Sequence, residues 1–364
     1  MKNTLLWTPY KLGGIELKNR IVMAPMTRSR AIGNVPNQLM AEYYGQRAAA
    51  GLIITEGTSP SPNGLGYCRI PGIFSQEQVK GWTKVTDAVH SGGGKIFVQL
   101  MHTGRISHQA NMPEGAVVMA PSAVKAAGQM FTDTKGMQDF PVPKAMTPED
   151  ISDVRQEFIK AAVNAIKAGF DGIELHSANG YLLEQFLSPV SNIRDDSYGG
   201  SIENRCRFVI EVAEEVIKAV GQDKVGIRLS PYGVASDMHY YPEIDDTYKY
   251  LTEKLNGLGI LYIHLVDHSS MGAPEVPLAI KTGIRQNLKR TLILSGGYTA
   301  ERAESDLQSG LANLIAFGKP FISNPDLVER FDNSWPLSSE LDKDTLYSPG
   351  EKGYTDYPRY IPKR

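Results

Sequence analysis

A strand-like apolar run followed by a segment of helical periodicity recurs eight times in this chain, and that rhythm leaves few architectures open. The runs are IVMAPM from Ile21, LIITEG from Leu52, KIFVQLMH from Lys95, GIELHSA from Gly172, VGIRLSP from Val225, YIHLVD from Tyr262, TLILSGG from Thr291 and NLIAFG from Asn313. Their near-continuous hydrophobicity suits parallel strands covered on both faces. Helical patterns fill Gln38 to Ala50, Gln76 to Ser91, Pro148 to Ala168, Glu203 to Val220, Asp245 to Leu258, Ala300 to Ser309 and Pro325 to Phe331. The pattern after the sixth run, around Ile280 to Lys289, is the least regular. Thr147-Pro148-Glu149-Asp150 supplies a cap, a first-turn proline and first-turn acids, and Gly169 a stop.

An open doubly wound sheet would more often have five or six strands and a glycine-rich first turn, and no GxGxxG follows the first run. The expected fold is therefore α/β, a closed (β/α)8 barrel of the TIM type, with residues 1–364 as a single domain. Two connections are unusually long, Thr103 to Met146 and Gly180 to Ile202. Both leave the C-terminal ends of strands, where barrel enzymes build their sites, so residues 103–146 are expected to form a lid within the domain.

With 41% hydrophobic residues, 21% charged residues and a net charge of −2, the chain has an ordinary globular composition and no basic surplus for nucleic acid. The start, MKNTLLWTPYKLGGIELKNR, lacks a secretory apolar run, and no stretch approaches the roughly 18 apolar residues of a membrane helix. A cytoplasmic protein is expected, without membrane or nucleic-acid partners. Cys68 and Cys206 are the two cysteines and form no CxxC pair, so neither a disulfide framework nor a zinc ribbon is expected.

Polar residues collect where the strands end: Thr27, Glu56, Gln99, His102, His176, Asn179, Arg228, His264, Asp267 and Ser295. A barrel would bring these to one rim around one cavity. The densest group is Glu174-Leu-His176-Ser-Ala-Asn179-Gly-Tyr181. His176 and Asn179 could together hold a carbonyl or nitro oxygen, with Tyr181 as a proton donor beside it; alternatively they satisfy loop backbone groups. Gly296, Gly297, Gly318 and Lys319, after the last two runs, suggest a phosphate site, although Lys319 could equally be a solvated surface lysine. Arg228 interrupts an apolar strand and needs either a bound anion or an ion pair with Glu174 or Glu56. Asp195, Asp196, Arg205 and Arg207 read as loop and helix-start charges. His90, His108 and His268 receive no role.

Taken together, these motifs resemble the old yellow enzyme family along nearly the whole chain. The matching stretches are NRIVMAPMTRSRA, TEGT, VQLMHTGR, ELHSANGYLLEQFLSPVSNIRDDSYGGSIENRCRF, IRLSPYG, SGGYTAERA, FGKPFISNPDL and the tail GYTDYP. They look most similar to the bacterial branch containing pentaerythritol tetranitrate, N-ethylmaleimide and morphinone reductases. The resemblance implies tightly bound FMN, with Pro25, Met26 and Thr27 beside the isoalloxazine ring and Gly57 and Gln99 at its pyrimidine edge. Arg228 would lie near N1 and O2, and Gly296, Gly297, Gly318 and Lys319 would hold the phosphate. It makes His176 and Asn179 the binders of the substrate oxygen and Tyr181 the proton donor, in a substrate pocket with Tyr67, Met101 and Tyr347.

Three positions depart from the family pattern: Lys319 stands where arginine is common, Asn179 where histidine is common, and Met101 where close relatives often carry tryptophan. The implied reaction is reduction of enones, nitroalkenes or maleimides with NADPH, or NADH, as reductant, with nitrate esters and nitroaromatics as further acceptors. Its partners are these small molecules, and the protein a monomer or homodimer. Two rival readings are a metal-dependent barrel hydrolase using His102, His176, His264 and Asp267, and a non-catalytic flavin-binding sensor.

Overall fold

Each of the eight apolar runs forms a strand in the computed structural model, which describes residues 4–362. Met1–Asn3, where the amino-terminal reading begins, lie outside the described residues. The strands are β1 (Ile21–Met23), β2 (Leu52–Thr58), β3 (Ile96–Leu100), β4 (Gly172–Ser177), β5 (Val225–Leu229), β6 (Tyr262–Val266), β7 (Thr291–Ser295) and β8 (Leu314–Phe317). They pair in parallel and in sequence order, and β8 pairs with β1 to close the barrel. Closure removes every sheet edge, so all ladder donors and acceptors of short strands find partners.

Register matters for the site. His176 on β4 sits opposite Arg228 on β5, which sits opposite His264 on β6, so three polar residues share one level of the barrel. In β2 the pairing with β3 shifts between Ile54 and Gly57, a bulge of the kind that re-aims side chains near active sites.

Outside the barrel run α1 (Gln38–Gly45), α2 (Gln76–Ser91), α3 (Pro148–Lys167), α4 (Ile202–Val220), α5 (Ile244–Gly257), α6 (Leu278–Asn287), α7 (Ala300–Gln308) and α8 (Leu327–Asp332). The expected start of α3 is present: Thr147 and Asp150 form a reciprocal capping box with Pro148 in the first turn, and Gly169 leaves the helix at φ 92°. The helix buries Ile151, Val154, Phe158, Ala161, Ala162 and Ala165, an i, i+3, i+4, i+7 stripe. Truncating Phe158 at its centre would cost about 3–5 kcal/mol.

Three features lie beyond the sequence expectations. Tyr10–Leu12 and Ile15–Leu17 form a hairpin around Gly13-Gly14, and Leu12 and Leu17 pack with Leu52, Tyr262 and Leu314, the first residues of their strands. That plug fills the N-terminal mouth and leaves the C-terminal mouth for a site. The segment after β3 carries a two-stranded parallel pair, Met119–Ala120 with Lys144–Ala145, and a hairpin, Gln129–Thr132 with Gly136–Asp139. The segment after β4 contains a short helix, Leu182–Leu187, and another, Lys319–Ser323, precedes α8.

Candidate active site

The C-terminal mouth opens into a cavity of about 1120 Å³, and every residue that the family resemblance assigned to flavin, catalysis or substrate pocket lines it. The loop after β1 contributes Pro25, Met26 and Thr27; β2 contributes Gly57; β3 and its exit contribute Gln99 and Met101. His176, Asn179 and Tyr181 come from the end of β4, and Arg228 from β5. Gly296 and Gly297 follow β7, Gly318 and Lys319 follow β8, and Tyr67 and Tyr347 complete the wall.

Of the rim residues expected around this cavity, Thr27, Gln99, His176, Asn179, Arg228, Asp267 and Ser295 do line it, whereas Glu56, His102 and His264 do not. Each of the three is turned into a structural network. Glu56 accepts from the Arg28 N–H and the Tyr44 hydroxyl, both at 3.3 Å. His102 Nδ1 accepts the Gly104 N–H at 3.1 Å. His264 pairs through Nδ1 with Glu174 at 2.8 Å and through Nε2 with the Ser295 hydroxyl at 3.1 Å.

Arg228 is buried, yet its Nε has no partner. Of the two carboxylates considered as its ion-pair partner, Glu174 acts on it only at a distance, while accepting from Gln99 Nε2 at 2.8 Å and the Tyr262 hydroxyl at 3.1 Å, and Glu56 is engaged as described. Among the described residues no carboxylate lies within ion-pair distance of Arg228. Desolvation disfavours its charge and the Glu174 carboxylate offsets that penalty in part, so a bound anion would stabilise it further. The cavity wall thus carries a buried cation with an unfilled N–H donor.

His176 is buried beside Arg228, with a ring nitrogen, Nδ1, lacking a partner. Burial, then the charge of Arg228 and the neighbouring His264, hold its pKa well below the ordinary imidazole value, so the ring is neutral at physiological pH. Three residues on, Asn179 adopts φ 60° and Gly180 φ 76°, a tight turn that brings Tyr181 back over His176 with ring centroids 4.9 Å apart. The Asn179 side-chain oxygen is buried without a partner. Tyr181 hydrogen-bonds Tyr67 hydroxyl to hydroxyl at 3.0 Å, and burial raises its pKa well above 10, which keeps its proton on. Two neutral polar groups and a protonated phenol therefore converge on one part of the cavity wall.

At the other end of the cavity the backbone is bare. A Cβ at Gly296 would fall onto the Asp267 carbonyl oxygen, and both Gly296 and Gly297 have positive φ, so glycine is required by space and conformation alike. Lys319 is exposed there, with no carboxylate partner among the described residues. Gly57 is in close contact with Met101, whose thioether would have to shift to admit a Cβ there. Met101 is buried among Leu65, Ile70 and Tyr67, so it is wedged between the β2 bulge and the cavity wall rather than projecting freely.

Sequence reasoning missed part of the wall. Gln129, Met130, Phe131 and Phe140 of the segment after β3 face the cavity, as do His268, Cys68 and, from the tail, Leu341 and Leu346. Two buried arginines fasten that tail. Arg30 donates to the carbonyls of Leu346 (2.7 Å), Thr345 (2.7 Å), Lys352 (3.0 Å) and Gly350 (3.2 Å). Arg28 donates to Leu346 (3.2 Å) and Gly353 (2.6 Å) and lies over the rings of Tyr43 and Tyr354, themselves stacked at 4.0 Å. The only local signal was the pair of arginines in TRSR, which sequence alone does not connect to a segment some 300 residues away. Arg205, read as a helix-start charge, is buried and donates to the Leu187 carbonyl at 2.9 Å and to Glu243 at 3.0 Å.

Among the described residues no group of three or more His, Cys, Asp or Glu side chains could hold a metal ion, and both ring nitrogens of His264 are engaged elsewhere. No helix among them is long and apolar enough to cross a membrane.

Comparison with known proteins places these features in context. The sequence model of the NADH:flavin oxidoreductase / NADH oxidase family matches residues 5–338. The chain is 41% identical to 12-oxophytodienoate reductase 7 of Oryza sativa subsp. japonica over 379 aligned positions, covering 98% of this chain and 95% of that protein. Among solved structures, morphinone reductase superposes with a TM-score of 0.95 at 42% identity, covering 99% of this chain and 97% of that one. The old yellow enzyme homologue from Zymomonas mobilis gives 0.92 at 40% identity, covering 98% and 99%.

Proposed function

Because this chain belongs to the NADH:flavin oxidoreductase / NADH oxidase family, that of the old yellow enzymes, we propose that it is an ene reductase. In this reading hydride passes from NADPH or NADH, by way of FMN, to the β-carbon of an activated alkene: an enone, a nitroalkene or a maleimide. Bound FMN supplies the two-electron relay, and the protein supplies binding, orientation and electrostatics.

The residues present fit that cofactor. The cavity is large enough for it, the buried Arg228 with its unfilled N–H donor would be stabilised by an anion, and the glycine-lined end offers backbone N–H groups with Lys319 beside them. We assign Gly296, Gly297, Gly318 and Lys319 to the phosphate, Pro25, Met26 and Thr27 to the ring, and Gly57 and Gln99 to its pyrimidine edge. Arg228 would face the part of the ring that gains negative charge on reduction.

The observation that carries the catalytic reading is the convergence of neutral His176, Asn179 and protonated Tyr181 on one part of the cavity wall. His176 through a ring N–H and Asn179 through its amide N–H would hold the carbonyl or nitro oxygen, and their hydrogen bonds strengthen as charge develops there. A neutral imidazole donates without carrying a second buried cation beside Arg228. Tyr181 would give its proton to the α-carbon. Nitrate esters and nitroaromatics present similar oxygens and are further acceptors.

A structure of morphinone reductase in complex with tetrahydroNAD matches this chain with a TM-score of 0.94, which supports a nicotinamide nucleotide as reductant. The direct test is product analysis. Incubation of the FMN-loaded protein with NADPH or NADH and 2-cyclohexenone should yield cyclohexanone in step with nucleotide oxidation. Oxidation that consumes no alkene would refute the assignment.

A further inference from the structure

Asn179 holds a left-handed conformation at φ 60°, which asparagine tolerates better than most residues, and the groups around it hold it there. These groups lie behind the cavity wall. The Asn179 N–H donates to the Ser230 hydroxyl at 2.9 Å, and that hydroxyl donates to Glu184 Oε1 at 2.8 Å. The Gly180 N–H donates to the other oxygen of the same carboxylate at 2.5 Å, and Tyr248 on α5 donates to Oε1 at 2.7 Å. From the opposite side, Gln185 Nε2 donates to the Gly180 carbonyl at 2.7 Å. Glu184 and Gln185 are neighbours on the short helix Leu182–Leu187, so one helix grips both polar groups of one peptide turn.

Glu184, Ser230 and Tyr248 are buried, and none lines the cavity. The Asn179 side-chain oxygen has no protein partner. Its place over the cavity is therefore set through the backbone alone, and the backbone is set by this network.

We propose that Glu184 and Ser230 are positioning residues: they hold the Asn179-Gly180 turn so that the Asn179 side chain meets the substrate oxygen together with His176. The proposal rests on the ene-reductase reading and adds to it the groups that determine how tightly an oxygen-bearing ligand is gripped. Glu184 takes three donors, from the Gly180 N–H, the Ser230 hydroxyl and the Tyr248 hydroxyl, and two of the three lead to the Asn179-Gly180 turn.

The test is a double-mutant cycle read by ligand binding. FMN-loaded wild type, Ser230→Ala, Asn179→Ala and the double variant are titrated with benzaldehyde, following the visible flavin spectrum, with flavin content and melting temperature recorded for each. Ser230→Ala should raise the benzaldehyde Kd about tenfold at unchanged flavin content, the loss expected for one well-placed hydrogen bond. In the Asn179→Ala background the same change should do almost nothing, because the two act through one group. Ser230→Thr, which keeps the hydroxyl, should restore wild-type binding. Glu184→Gln, which keeps the shape but turns a donor against the Gly180 N–H or the two hydroxyls, should raise Kd at least as much and serves if Ser230→Ala does not fold. Equal, additive losses in both backgrounds, or an unchanged Kd, would overturn the positioning role while leaving the reductase reading intact. A wild-type spectrum indifferent to benzaldehyde and to enones alike would remove that reading and the proposal with it.

Discussion

Replacing Arg228 by methionine should move two properties in opposite directions. The side chain is buried, its Nε has no partner and no carboxylate lies within ion-pair distance among the described residues, so in flavin-free protein its desolvation is offset only in part, by the more distant Glu174. Replacing it by an apolar chain of similar length relieves that residual penalty. Flavin-free Arg228→Met should therefore melt higher than flavin-free wild type. The cofactor-bound form should lose. At an effective dielectric of about 20, a unit charge 4–5 Å from an anion contributes about 3–4 kcal/mol. Because the anion gains its charge on reduction, most of that loss should appear as a reduction potential more negative by about 60–90 mV for a two-electron couple. The assay is thermal unfolding of both flavin-free proteins, followed by FMN titration and potentiometry of the reloaded forms. A lower melting temperature with an unchanged potential would refute the reasoning and make Arg228 a structural residue.

Tyr181→Phe should slow reoxidation by enones by roughly 10² to 10⁴, while reduction by the nucleotide stays near normal; nitroalkenes, whose nitronates can be protonated by water, should suffer less. Equal slowing of both half-reactions in stopped-flow would show that the ring positions ligands instead. Met101→Trp should lower kcat/KM for bulky cyclic enones about tenfold or more and spare cyclohexenone, whereas equal losses with a reduced melting temperature would mean that the wedge against Gly57 is overpacked. Arg30→Ala should release the tail, which it holds through four backbone carbonyls, at a cost of about 3 kcal/mol or more; limited proteolysis that left residues 341–357 as resistant as in wild type would contradict this. Burial pushes the carboxyls of Glu56 and Glu184 up to about 7, so between their unfolded value and pH 7 the folded state binds more protons. Stability from these groups should accordingly fall as pH rises through that window, by up to about 1.4 kcal/mol per unit for each, and denaturant melts of Glu184→Gln should lose part of that slope.

The barrel was legible because parallel strands covered on both faces must be apolar almost throughout, and runs such as TLILS and LIAF at Thr291 and Leu314 are too short for buried helices and recur eight times between helical segments. The Gly13-Gly14 hairpin carried a recognisable two-residue turn, but its strands of three residues each give too little alternation to register. Site residues at strand ends were found by position, which is also why Glu56, His102 and His264 were included wrongly. Whether a residue at a strand end faces the cavity or a neighbouring network depends on partners such as Tyr44, Gly104 and Glu174 that lie far off in sequence. Although the tail motif and Tyr347 were legible, the fastening of the tail by Arg28 and Arg30 was invisible for the same reason. So was the support behind Asn179, where the short helix Leu182–Leu187, buried on every side, offers no amphipathic pattern to read.

The central claim is that one cavity passes hydride from a nicotinamide nucleotide to an activated alkene with the help of His176, Asn179 and Tyr181. Anaerobic stopped-flow of the FMN-loaded protein tests it most directly. Mixing with NADPH or NADH should bleach the flavin absorbance, and a second mixing with 2-cyclohexenone should restore it, slowly in Tyr181→Phe and promptly in wild type. A flavin that bleaches but does not recover with any enone or nitroalkene would contradict the account.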